Sequence, residues 1–95
     1  MPHYLIRLSP ARAEMPDGPT PEEAETVGRH FAYLQAAHQS GQLFMAGRTM
    51  IPPYIGIAVF TAADDAAAAK FMAGDPAIKE GVFLGEVQPF GLALG

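Results

Sequence analysis

Between positions 3 and 8 the chain alternates with a period of two. Tyr4, Ile6 and Leu8 fall on one side, and His3, Leu5 and Arg7 on the other, as in a strand with one core face. Positions 9–20 lose that period and carry Pro10, Pro16, Gly18 and Pro19, which predicts a loop, long for a compact domain. A helical period follows. Thr20 supplies an N-cap, Pro21 suits the first helical position, and Glu23 stands where a capping box needs it. Val27, His30, Phe31, Leu34, Ala37 and His38 then share one broad face. Glu25 and Arg29 are spaced for an ion pair, and Gly41 suits a left-handed cap after Ser40. Strand patterns return over 42–48 and, beyond the break Ile51-Pro52-Pro53, over 54–61. Thr61-Ala62-Ala63-Asp64 reads as a second capping box. It opens an alanine-rich helix that runs to Ala73 and stops at Gly74-Asp75-Pro76. A short turn over 77–80, a fourth strand over 82–90 and a tail complete the pattern.

The order is β-α-β-β-α-β, which predicts an α+β, ferredoxin-like domain over 1–95: a four-stranded antiparallel sheet with two helices on one face. The free face should then be polar, but the third strand is apolar on both sides. Ile55, Ile57 and Val59 line one side, and Tyr54, Gly56, Ala58 and Phe60 the other. A strand buried on both faces needs a second cover. The simplest is the sheet of another copy, so the pattern predicts a homodimer through the sheet faces. Composition strengthens this expectation. The 95 residues suffice for one domain, and 49% are hydrophobic against 17% charged, a high apolar share for so small a surface.

Charge narrows the partners. Six Lys and Arg against ten Asp and Glu give a net charge of −4, the wrong sign for nucleic acid or an anionic membrane. No cysteine is present, which removes thiol catalysis, thiolate zinc sites, Fe–S clusters and disulfides. No apolar run is long enough to span a membrane and the N-terminal residues lack a signal-peptide pattern, so the expected compartment is the cytoplasm.

Three histidines remain as candidates for chemistry near neutral pH. His30 and His38 are eight residues apart, about 12 Å along a helix, too far to share a metal unaided. The four-residue spacing of a two-histidine helix site is absent, and no metal site is expected. His30 reads either as a functional group or as a core-edge histidine bonded to backbone. His38 reads as a surface histidine favoured by the helix C-terminus. Asp75 has two readings as well: cap of the turn that Pro76 opens, or the carboxylate that orients a histidine. Arg48, after Ala46-Gly47, is placed either to hold a substrate anion or to sit solvated at a strand end. Arg7 lies on the sheet face opposite Tyr4 and Ile6. Tyr33 and Tyr54 are weaker candidates, each able to pack its ring and leave the hydroxyl at a rim. No phosphate-binding glycine loop and no serine-nucleophile elbow is present.

Taken together, these residues resemble the YCII-related (YciI-like) family of small proteins. The resemblance rests on His30 within Arg29-His30-Phe31-Ala32-Tyr33-Leu34, Gly41 eleven residues on with Gln42-Leu43 and then Ala46-Gly47, the helix ending in Gly74-Asp75-Pro76, and the closing Gly81-Val82-Phe83 with Val87-Gln88-Pro89-Phe90. It covers nearly the whole chain. It implies a dimeric α+β barrel and a His–Asp pair, which by position is His30 and Asp75. One branch of the family resembles dehydrochlorinases acting on chlorinated hydroxyquinols, and muconolactone isomerases share the wider fold. The family often has proline after the Ala-Gly pair, where this chain has Arg48. The implied function is a cofactor-free enzyme. His30 and Asp75 would perform lyase- or isomerase-type acid–base chemistry on a small anionic, aromatic or cyclic substrate, with Arg48, Arg7 and Tyr33 as binding residues. The other reading is a non-catalytic small-ligand-binding or regulatory dimer, and a pure assembly domain is the third.

Overall fold

The first helix, α1 (Pro21–Gln39), begins where its capping chemistry dictates. In the computed structural model, which describes residues 1–95, the Thr20 hydroxyl accepts from the Glu23 amide and the Glu23 carboxylate accepts from the Thr20 amide. At the other end Gly41 takes φ +87°, the left-handed conformation that lets the chain reverse into the sheet. The strands are β1 (His3–Pro10), β2 (Leu43–Arg48), β3 (Gly56–Thr61) and β4 (Phe83–Phe90). They form one antiparallel sheet in the order β2-β3-β1-β4. Two further helices, α2 (Asp65–Ala73) and the single turn α3 (Pro76–Lys79), lie between β3 and β4 in sequence. This is the α+β, ferredoxin-like fold that the hydrophobic pattern predicts.

The pairing register assigns each residue to a face. Tyr4, Ile6 and Leu8 oppose Phe60, Ala58 and Gly56, and all point towards the helices. Phe60 is sealed from solvent, with its ring 4.5 Å from Phe71 of α2 and 5.9 Å from Tyr4. Leu5, Arg7, Ile57 and Val59 occupy the other face. The two-sided apolar character of β3 is therefore a property of the folded sheet. Ile57 and Leu84 remain bare on the helix-free side, 39% and 59% exposed.

Three local expectations change. The third strand starts at Gly56 rather than Tyr54, because Ile55 is tied by both its amide and its carbonyl to Thr49. The second helix is capped by Asp64, whose side chain accepts from the Ala67 amide, whereas Thr61 ends β3. The proline-rich segment is not featureless: Met15–Asp17 forms a 3-10 turn that buries Met15 against the domain. No helix is long and apolar enough to cross a membrane.

Candidate active site

Three side chains on one stripe of α1 reach across to the second half of the chain. Thr26, His30 and Tyr33 recur at helical spacing, so they face one side. Tyr33 donates its hydroxyl proton to the Phe71 carbonyl at 2.7 Å and stacks on the Phe71 ring. Burial, and secondarily the Asp75 charge, push this phenol above its ordinary value, so it stays a donor. Gly74 leaves room beside it: a β-carbon there would come within 2.6 Å of the Tyr33 hydroxyl oxygen and displace it. Its φ is −77°, so the need is for space and not for unusual backbone.

His30 and Thr26 hold the two ends of α3. Asp75 is buried and precedes Pro76 as the N-cap. Its Oδ1 accepts from the Ala77 amide at 2.9 Å, and its Oδ2 lies 2.6 Å from His30 Nδ1. A carboxylate only accepts, so Nδ1 carries a proton and donates it. The two readings of Asp75 left open by the sequence, cap and histidine partner, hold together, one on each oxygen. At the far end of α3, Glu80 accepts from both terminal guanidinium nitrogens of Arg29, at 2.6 and 2.9 Å, and from the Thr26 hydroxyl at 2.8 Å. The Arg29–Glu25 pair expected from spacing is longer, at 3.5 Å.

Arg29 and Thr26 hold the Glu80 carboxyl down at about 2 against an ordinary 4.5. A depressed carboxyl stabilises the fold above its unfolded value, and that stability is lost as pH falls through the folded value. Thermal melts should therefore show Tm falling between pH 4.5 and pH 2. Glu80→Gln should flatten part of that fall, although Glu23, held at about 2 by Arg12 and the Thr20 amide, contributes its own share. An identical pH profile in Glu80→Gln would show that the Arg29 contact adds nothing.

The His30 side chain is 12% exposed and that of Asp75 6%. The imidazole meets the Phe83 ring edge-on at 5.1 Å. Its Nε2 has no protein partner, and no unpartnered side-chain nitrogen in the domain is sealed off, so Nε2 retains access to solvent. His30 also lines a cleft of about 990 Å³ between α1, β2 and the proline-rich segment. Fifteen of its 24 lining residues are hydrophobic and none is a carboxylate. In a chain with ten acidic residues, that leaves His30, His38 and Arg48 as the only ionisable groups of basic type on its wall. Arg48 sits 5.8 Å above the Tyr54 ring, and Tyr54 donates to Asp17 at 3.0 Å, which fastens the cleft wall.

The structure thus brings His30, Asp75 and Arg48 to one cleft, with Asp75 behind the histidine. It does not bring Arg7 or Tyr33 there. Arg7 lies on the far face of the sheet, opposite Ile57 and Glu86. Tyr33 is spent on the α1–α2 contact. Sequence reasoning also gave no role to Thr26 and Glu80. The available signal was a threonine about one helical turn before His30, beside an arginine able to reach a carboxylate.

The YCII-related domain model matches residues 4–90, and the chain belongs to that family. Among solved structures it is similar to 5-chloro-2-hydroxyhydroquinone dehydrochlorinase (TftG) of Burkholderia phenoliruptrix AC1100, in complex with 2,5-dihydroxybenzoquinone. The TM-score is 0.72 at 16% identity, covering 94% of this chain and 93% of the other. A weaker likeness is to SnoaB, a cofactor-independent oxygenase from Streptomyces nogalater, with TM-score 0.48 at 15% identity, covering 98% and 93%. No curated protein matches the sequence.

Proposed function

We propose that the chain is a cofactor-free enzyme that moves a proton on a small anionic, aromatic or cyclic substrate, in lyase- or isomerase-type chemistry. The observation that carries this reading is the 2.6 Å contact between His30 Nδ1 and buried Asp75, with Nε2 unpartnered and His30 on the wall of an apolar cleft. Asp75 fixes the proton on Nδ1, which leaves the Nε2 lone pair as a base. Once Nε2 takes a proton, the adjacent carboxylate stabilises the imidazolium. Arg48 supplies the cationic end for the substrate anion, and the absence of carboxylates on the wall favours the same sign. The quinone named with the dehydrochlorinase is a cyclic compound with acidic hydroxyls, which agrees in chemistry.

The test is deuterium uptake. Hydroxylated quinones and enolisable cyclic acids, incubated with the protein in D2O, should exchange a carbon-bound proton at a rate that depends on His30. 5-Chloro-2-hydroxyhydroquinone should be included, with chloride release followed in parallel. Ligands that bind without exchange or turnover would instead support a non-catalytic binding module.

We also propose that the chain forms a homodimer through the helix-free sheet face. Ile57, Leu84, Met45 and Phe90 are exposed there around buried Val59. Light scattering should give twice 10.1 kDa for the wild type. Leu84→Asp, which places an unpaired charge in that face, should shift the mass to the monomer. A wild type that stays monomeric at tens of micromolar would reject the dimer.

A further inference from the structure

The cleft is longer than proton transfer on one ring requires. Its α1 wall is a single stripe running through Ala24, Val27, His30, Leu34 and His38. At 1.5 Å per residue, the 14 steps from Ala24 to His38 cover about 21 Å, with His30 well inside both ends. The volume agrees. A benzene-sized ring occupies a cavity of about 150 Å³, so the cleft of about 990 Å³ has room for more than one ring along its apolar wall. Phe31 and Phe44, 64% and 52% exposed, are among the side chains that line it.

The two ends differ in charge. Arg48 belongs to the end closed by the proline-rich segment, because Tyr54 beneath it is bonded to Asp17. It makes no ion pair within the domain. The opposite end, where Leu43 and Phe44 of β2 meet the last turns of α1, holds His38 and no residue of fixed charge.

We propose that the substrate is an elongated aromatic acid of two or three rings. Its anionic group lies at Arg48, and its apolar body runs along α1 past His30 towards Phe44. This rests on the reading of His30 as the proton-transfer group and assigns the size, shape and polarity of what that group acts on. A substrate of this length places a ring carbon against Nε2 while its acid group is held several ångströms away. Arg48 is then a specificity-determining residue for the acid end.

The proposal is tested with benzoate, 2-naphthoate and anthracene-2-carboxylate against the full chain. Benzoate is followed by calorimetry and the larger acids by their own fluorescence, free of indole background because the chain has no tryptophan. Affinity should rise about tenfold per added ring. Arg48→Gln should lower the affinity for anthracene-2-carboxylate by about tenfold and leave the neutral 2-(hydroxymethyl)anthracene unchanged. Equal affinity across the three acids overturns the proposal. So does a neutral alcohol that binds wild type as tightly as the acid, or failure of every acid to bind. The His30 ring spectrum of the ligand-free protein judges the underlying reading separately. An intact, Asp75-dependent tautomer beside a flat ring series rejects the substrate size alone, and a tautomer indifferent to Asp75 rejects both.

Discussion

His30→Gln lowers the rate of proton exchange on any bound substrate by about 10²–10⁴-fold and leaves the fold in place, the loss expected when one general base is removed. Glutamine is the informative substitution because of what stands behind the ring. Asp75 Oδ2 is buried and accepts from Nδ1 at 2.6 Å. Alanine would leave that carboxylate facing a void, and a lost charge-assisted hydrogen bond would destabilise the domain along with the activity. The glutamine amide can still donate to Oδ2, but it has no lone pair basic enough to take a proton from carbon. The measurement is deuterium uptake beside a urea melt. An unfolding midpoint near wild type with exchange reduced at least a hundredfold is the expected pair of results. Exchange within threefold of wild type would remove His30 from the chemistry.

Asp75→Asn has nearly as large an effect on rate, for a different physical reason. The asparagine carbonyl can keep the cap by accepting from the Ala77 amide, as Oδ1 does at 2.9 Å. Its amide group then faces His30 Nδ1 as a donor. A ring nitrogen that must accept cannot carry the proton, so the proton moves to Nε2, and the face turned to the cleft loses its basic lone pair. The fold survives and the catalytic nitrogen is occupied. Asp75→Ala does something else. It removes the cap of α3, which costs about 1 kcal/mol, and also leaves His30 Nδ1 without its acceptor. The pair of variants therefore separates the two duties of one carboxylate. Asn should cut activity by about 10²-fold or more with a small change in Tm, and Ala should lower both. Equal loss of stability in the two, with activity following stability, would assign Asp75 a capping role alone.

Most of the architecture was legible because it is written in periodicities. The alternation through Tyr4, Ile6 and Leu8, the cap at Thr20 and the glycine at 41 each act through neighbours in sequence. The apolar two-sidedness of β3 was legible for the same reason. The site was legible only by halves. His30 and Asp75 are 45 residues apart, and nothing local says that α3 will dock on α1. Resemblance joined them where spacing could not. Arg7 illustrates the converse. Its face was read correctly from the alternation of β1, and that same face carries it away from the cleft. Tyr33 gives its hydroxyl proton to a backbone carbonyl, that of Phe71, a partner that leaves no trace in side-chain identity. Thr61 was misplaced as a cap because β3 runs on through it, so Asp64 takes the cap position instead.

The central claim is that Asp75 sets the protonation of the His30 ring so that Nε2 faces the cleft as a base. Nitrogen-15 spectra of the histidine rings at neutral pH, in wild type and in Asp75→Asn, test it most directly. A working pair gives a wild-type His30 signal with the proton on Nδ1 whenever the ring is neutral, and a signal with the proton moved to Nε2 in Asp75→Asn. A wild-type ring protonated on Nε2, or a tautomer that does not respond to Asp75→Asn, would contradict it.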